Sequence, residues 1–273
     1  ALKYIEERSK EKKPFFLYFP MCPPHSPIVP ASEFEGKSGM VGKEGKYGDW
    51  VYQGDHMLGQ LMDALERTGQ DKNTLLIATG DNGAAKRPYP PLREAKSSIY
   101  EGGHREPFVA RWPGRIKAGS VNHDVICLND LFATCADILG ADLPPNAAED
   151  SVSVLSALLS KATGPLREAT INQAPAGLAI RQGPWKYIAF RNGTRELYNL
   201  KEDISETMDV ANANAEVAGR LEKLMQSYFD RGRSTPGPVQ KKEFELPFGR
   251  SAEKKRNKKN KEDKESSSKK NKI

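Results

Sequence analysis

Apolar and polar positions along this 273-residue chain fall into two textures. In the first, short continuous apolar runs alternate with stretches of helical spacing. Residues 15–19, Phe15-Phe16-Leu17-Tyr18-Phe19, form an unbroken run of the kind expected of a strand buried on both faces. Before it, an amphipathic helix opens at Leu2 and ends at Lys13-Pro14. After it, Pro20 and Pro23-Pro24-His25-Ser26-Pro27 predict a rigid, non-helical loop, and a Gly/Lys-rich loop covers residues 36–48. Leu58, Leu61, Met62 and Leu65 recur at helical spacing, with Gly69 as the stop. A second apolar run, residues 73–78, predicts a strand, and residues 108–112 a further one, turned by Pro113-Gly114. Asn129 or Asp130 caps a helix through Leu131, Phe132, Ile138 and Leu139, which Gly140 ends. Strand–helix–strand alternation of this kind predicts an α/β fold with a mostly parallel sheet flanked by helices.

Past about residue 164 the texture changes to short strands separated by tight turns. Residues 177–181, 185–190 after Gly183-Pro184, and 196–198 after Asn192-Gly193 read as an antiparallel set. A helix over residues 213–231 carries Val217, Leu221, Leu224 and Tyr228 on one face. The expected organisation is therefore residues 1–164 as the α/β part and 165–240 as a small antiparallel α+β subdomain with one helix. Residues 241–273 form a basic tail whose Lys/Ser/Asn/Glu composition is that of disordered segments.

Charge changes the picture less than its total suggests. The net charge is +6, but residues 251–273 hold ten Lys or Arg and four acids, so they account for all of it (10 − 4 = +6). Residues 1–250 balance at 32 basic against 32 acidic, which argues against a nucleic-acid partner for the folded part. No run approaches the ~20 apolar residues that span a bilayer, so no membrane partner is expected. The three cysteines lack zinc spacing and are too few for a disulfide framework. Ala1 opens directly onto Leu2-Lys3-Tyr4-Ile5, a start within a helix that suggests a fragment or a processed chain.

The candidate chemistry lies at the end of the 73–78 run. Thr79-Gly80-Asp81-Asn82-Gly83 puts two oxygen-bearing side chains at the carboxyl end of a strand, where open α/β sheets bind ligands. Asp81 and Asn82 offer hard oxygen donors to a divalent cation. Lys96 follows on the next loop, able to face an anion, before Glu101-Gly102-Gly103-His104-Arg105-Glu106-Pro107. Taken alone, Asp-Asn-Gly is as readily a turn, and a lone lysine a solvated charge. Glu101-Gly102-Gly103 reads as a tight backbone path close to the site, and Arg105 as the partner of a nearby acid.

Pro24-His25, Asp81-Asn82-Gly83, Lys96 and Glu101-Gly102-Gly103-x-Arg105-x-Pro107 stand in the order and approximate spacing of the C-terminal half of sulfatases. The chain resembles the arylsulfatase A and N-acetylgalactosamine-6-sulfatase branch of the alkaline phosphatase-like superfamily, over residues 1–231. Trp112-Pro113-Gly114, Asn129-Asp130-Leu131-Phe132, Ile180-Arg181-x-Gly183-x-Trp185-Lys186 and Glu196-Leu197-Tyr198-Asn199-Leu200 extend the likeness. The resemblance implies an alkaline phosphatase-like sheet, hydrolysis of a sulfate monoester of a carbohydrate or aryl alcohol, and one bound cation, usually calcium. It implies Asp81 and Asn82 as metal ligands, and Lys96 and His25 as the catalytic groups that contact the sulfate. His104 is a further candidate for lining the substrate pocket. Relatives are mostly exported or lysosomal, so a periplasmic or secreted location is what the resemblance implies.

The sequence also departs from that pattern. The Cys-x-Pro-x-Arg or Ser-x-Pro-x-Arg nucleophile segment of such enzymes has no match here, nor does their early aspartate pair. Cys22-Pro23-Pro24-His25-Ser26 is a decoy, with serine where the arginine belongs and a histidine that fits the later segment. The expectation is a half-site, inactive alone, whose other half is supplied by a missing N-terminal part. Two rivals stand beside it: a phosphomonoesterase or phosphodiesterase on the same scaffold, and a non-catalytic anion- or glycan-binding remnant.

Overall fold

The computed structural model describes residues 1–11 and 13–241. The chain groups into two compact units, one of Ala1–Leu76 with Ala110–Ala118, the other of Ile77–Val109 with Gly119–Ile273. The basic tail expected beyond residue 241 lies outside the described residues.

In the first unit, helix α1 (Leu2–Arg8) packs on helix α2 (Gly45–Arg67). Ile5, Leu61, Ala64 and Leu65 form their shared core, with Phe15 and Leu17 against it. Residues 15–19 are extended but pair with no strand among the described residues. This corrects the expectation of a strand buried on both faces. Phe15 and Leu17 turn inward, whereas Phe16 and Tyr18 are 73% and 78% exposed. Backbone N–H and C=O groups need partners to make a strand, and a run with one covered face shows period-2 burial instead. Helix α2 begins at Gly45, inside the expected loop, and Gly48 in its first turns lies against the side chains of Ser38 and Met40. Next to it, buried Asp49 accepts hydrogen bonds from the Ser38 and Gly36 amides and the Ser38 hydroxyl. These bonds hold its carboxyl below the usual range and tie the preceding loop to the helix.

Strands β1 (Leu76–Thr79) and β2 (Phe108–Arg111) form a two-stranded sheet. Between them lies a single helical turn, α3 (Glu101–His104). Helices α4 (Asp130–Leu139) and α5 (Leu155–Leu158) follow. Asn129 takes the cap position of α4, but its side chain donates to the Asp150 carbonyl instead of capping. Buried Asp130 orders this end, accepting from the Cys127 and Val152 amides and from Arg167. Gly140 ends α4 in the left-handed conformation.

The second unit is built on a four-stranded antiparallel sheet in the order β3 (Thr170–Ala174), β4 (Gly177–Gln182), β5 (Trp185–Phe190), β6 (Arg195–Asn199). The mostly parallel sheet expected of the first part is not seen among the described residues, which hold this sheet and the β1–β2 pair. Successive side chains of a strand point to opposite faces, and here each face is covered. Leu178, Ile180, Tyr187, Ala189 and Leu197 lie under helix α6 (Ala215–Arg231), against Leu221, Met225 and Tyr228. On the other face, Ala179, Ile188 and Tyr198 pack against Ile99 and Tyr100, the residues that lead into α3. The register aligns Arg181 with Lys186 and Lys186 with Tyr198, so one cross-strand row of polar groups runs along that second face. The sheet thus meets the segment before α3 directly. Leu221 is fully buried beneath it, so Leu221→Ala is expected to destabilise the protein by about 3 kcal/mol in denaturant titration, through lost burial and a residual cavity.

Candidate active site

Three glycines, rather than side chains, bring the candidate residues into one construction. A Cβ at Gly83 would meet the Gly102 carbonyl; one at Gly102 would meet the carbonyls of Arg93 and Glu94; one at Gly103 would meet that of Ser98. Only residues without side chains permit backbone-on-backbone stacking this tight. The stack is stitched by hydrogen bonds from Gly83 N to Gly103 O (3.0 Å) and from Gly102 N to Arg93 O (2.9 Å). The Asp81-Asn82-Gly83 turn, the loop that carries Lys96, and α3 therefore share one backbone scaffold. Asp81 and Lys96 are exposed on it and Asn82 is half-buried.

The Lys96 loop is held in a costly conformation. Glu94 (φ +59°) and Ser97 (φ +73°) flank the lysine in the left-handed region, which residues with a Cβ seldom adopt. Such a shape persists only where its surroundings over-determine it. Ser98 Oγ donates to the Glu94 carboxylate and accepts from Tyr100 N (3.1 Å), and Ser98 N donates to Ala95 O (3.0 Å). Beyond the turn, Gly80 backs directly onto the Glu106 carboxylate. Burial, and then the neighbouring charge of Asp81, push the Glu106 carboxyl up. Asp81 and Glu106 thus bring two carboxylates close enough to repel.

Behind the scaffold lies a buried ion cluster. Lys186, 1% exposed on β5, donates to Glu101 Oε1 (3.0 Å) and lies 3.2 Å from His104 Nε2. It also forms an ion pair with Glu206 Oε1 at 2.8 Å, off hydrogen-bonding alignment. Glu206 Oε2 accepts the Glu101 backbone N–H (2.6 Å) at the start of α3. Arg105 and Arg181 reach Glu101 Oε2 at 3.3 and 3.5 Å. Burial alone would raise the Glu101 carboxyl, yet Lys186, then His104 and Arg181, hold it below the ordinary range. Burial, and with it the neighbouring Glu101 charge, pushes the Glu206 carboxyl up despite its contact with Lys186. Burial and then the Lys186 charge push His104 down to about 4, so it is neutral at physiological pH. Its Nε2 lies 3.2 Å from both the Lys186 ammonium and the Ile99 carbonyl, and the tautomer of the neutral ring sets whether that nitrogen accepts from the first or donates to the second.

His25 lies in the first unit, on the loop between Cys22 and Pro27. Its N–H donates to Cys22 O (2.9 Å), its carbonyl accepts from Trp50 Nε1 (2.9 Å), and its Nδ1 is 2.7 Å from Ser26 O. That contact assigns the proton to Nδ1 and leaves Nε2 of an exposed ring as the open nitrogen. Lys186, Glu206 and Arg181 were not singled out as site-supporting residues from the sequence. A signal existed for Lys186: it is the one charge in Trp185-Lys186-Tyr187-Ile188-Ala189-Phe190, a strand apolar on both faces. No such signal marks Glu206, which occupies a turn with φ +51°.

Two expectations follow from this geometry. Gly103→Ala should cost about 2 kcal/mol or more in chemical denaturation, because a rigid carbonyl and not a flexible side chain stands in the way. For His104, the folded pKa lies below the unfolded value, so the unfolded state binds more protons between the two. Stability should fall as pH drops from about 6.5 towards about 4 and lose nothing more from this group below that. By NMR, the His104 ring should keep its neutral signature until pH approaches about 4.

A family model described as Sulfatase matches residues 1–141. The N-acetylgalactosamine-6-O-sulfatase of Bacteroides thetaiotaomicron is 35% identical over 250 residues, covering 80% of this chain and 48% of the relative. A solved structure from work on the metabolism of multiple glycosaminoglycans by that bacterium superposes with a TM-score of 0.74 at 33% identity, over 83% of this chain and 52% of that one. Ps i-CgsB, solved in complex with k-i-k-neocarrahexaose, superposes with a TM-score of 0.77 at 26% identity, over 88% of this chain and 55% of the other. The chain spans about half the length of these relatives, and the solved structures carry the alkaline phosphatase-like fold of sulfatases. Family match and structural likeness agree with the motif order: the chain belongs to the sulfatase family.

Proposed function

We propose that this chain carries the cation- and anion-binding half of a sulfuric ester hydrolase acting on a sulfated carbohydrate. The observation that supports it most is the glycine stack, which fixes the Asp81-Asn82 turn and the Lys96 loop on one backbone scaffold. The sulfated-sugar class is supported by the relatives, one called an N-acetylgalactosamine-6-O-sulfatase and another solved in complex with k-i-k-neocarrahexaose. The parallel sheet and the nucleophile belong, on this reading, to sequence other than these 273 residues.

Asp81 and Asn82 would hold a divalent cation, and the donor set suits a hard ion such as Ca2+. It is all oxygen, with carboxylate charge that a cation offsets at Asp81 and Glu106. Two ligands fall short of the six to eight oxygens calcium takes, and no group of three or more His, Cys, Asp or Glu among the described residues completes a site. When bound, the cation supplies positive charge against the sulfate oxygens. Lys96 adds a compact ammonium on a loop already held in its working shape, so little reorganisation accompanies the growth of negative charge. The family's pattern would give His25 a contact with the sulfate, for which Nε2 is the open nitrogen, Nδ1–H being engaged by Ser26 O. His104, its Nε2 held between Lys186 and the Ile99 carbonyl, leaves Nδ1 as its open nitrogen for a substrate contact.

The test is an assay with paired aryl sulfate and aryl phosphate substrates, on this chain alone and on the polypeptide made by extending its reading frame upstream. The extended protein should cleave the sulfate in preference to the phosphate, and the chain alone neither. Lys96→Ala should lower kcat/KM by about 100-fold or more, the size of effect seen when one preorganised charge-stabilising donor is removed. Asp81→Asn should raise the calcium concentration needed for half-maximal activity. Preference for phosphate would overturn the sulfatase reading, and turnover by the chain alone would overturn the half-site reading.

A further inference from the structure

We infer that the antiparallel sheet is a positioning device for the Lys96 loop, with Lys186 as its principal positioning residue and Tyr198 and Glu206 as its second anchor. This rests on the reading of Lys96 and Asp81 as the working site, and assigns a role to residues well outside it.

The argument begins with the sheet register. Arg181, Lys186 and Tyr198 align across β4, β5 and β6 and share the face opposite α6. Two members of this row, Arg181 and Lys186, reach Glu101, just after the Lys96 loop. The third, Tyr198, accepts from Arg93 NH1 at 3.2 Å, just before the loop. Arg93 also donates to the Glu206 carbonyl and stacks over the Tyr100 ring at 3.7 Å. The same Glu206 takes the Glu101 amide on its carboxylate. Both ends of the loop are therefore tied to one rigid row, and Glu206 bridges them.

The loop itself needs such ties. Its two left-handed residues are unfavourable, and its stacking on Gly102 and Gly103 transmits any tilt of α3 to Lys96 and, through the Gly83–Gly103 hydrogen bond, to Asp81. Lys186 is suited to the task because its ammonium is enclosed and can move only with its partners. It meets Glu101 and His104 within α3 and Glu206 outside it. A buried charge held by several groups specifies geometry even where it adds little net stability.

The experiment compares amide exchange in the wild-type chain and in Lys186→Met/Glu206→Gln. This double variant removes one positive and one negative charge and leaves Glu101 paired with Arg105 and Arg181. Exchange should quicken by about 10-fold or more at Gly83, Gly102, Gly103 and residues 93–98, while β4, β5 and α6 stay close to wild type. Tyr198→Phe, which keeps the ring in its apolar cluster and removes the oxygen that Arg93 donates to, should show a smaller change of the same pattern, and it serves if the double variant does not fold. In the extended, catalytically competent polypeptide, kcat of the double variant should fall by about 100-fold with KM little changed, as for a misplaced catalytic group. Exchange that rises equally in sheet and loop, or that does not change, would overturn the inference. A loop-selective change in a protein whose wild type cleaves no sulfate ester would leave the coupling standing and refute the sulfatase reading instead.

Discussion

An ammonium with no access to water is the constraint on which the second unit depends. Lys186 is the one charge on an otherwise apolar, buried strand, and leaving it unpaired there would be far more costly than any single apolar contact is stabilising. It is tolerated because Glu101, Glu206 and His104 come to it from two separate segments. The charge thereby determines how α3 sits on the sheet. Apolar packing of Ile99 and Tyr100 against Ala179, Ile188 and Tyr198 supplies the adhesion, which is not directional; the ion cluster supplies the register.

From α3 outward, position passes through backbone rather than through side chains. Gly102 and Gly103 let the strained loop around Lys96 lie flat on the helical turn, and Gly83 lets the Asp81-Asn82 turn do the same from the β1 side. A site built this way keeps its charged side chains free at the surface while their backbones are fixed. That suits the proposed chemistry, in which an ammonium and a cation must wait in place for a sulfate group whose charge grows during reaction. It also explains why the C-terminal subdomain belongs with the residues around Asp81 and Lys96 in one compact unit.

Much of this was legible from residue pattern. Asn192-Gly193 predicted the β5–β6 hairpin, and Gly193 there has φ +95° with the Thr194 amide bonded to Asn192 Oδ1. Gly140 and the spacing of Leu221, Leu224 and Tyr228 marked helix ends and faces that the structure reproduces. The motif order around Asp81, Lys96 and Glu101 identified the family. Residues 15–19 misled because an apolar run reports potential burial, not the partners that provide it; Phe16 and Tyr18 remain uncovered among the described residues. Strand β3 was missed because Thr-Ile-Asn-Gln-Ala has weak alternation and takes its shape from pairing with β4. Glu206 was beyond reach, since a buried carboxylate in a turn is defined by what folds against it from more than a hundred residues away.

The most direct measurement is a crystal structure of the extended polypeptide grown with calcium and soaked with sulfate. Density for the cation against Asp81 and Asn82, with a sulfate oxygen within hydrogen-bonding distance of Lys96 Nζ, is the result expected. A cation bound away from that turn, or a sulfate that leaves Lys96 in solvent, would contradict the half-site built on the glycine stack.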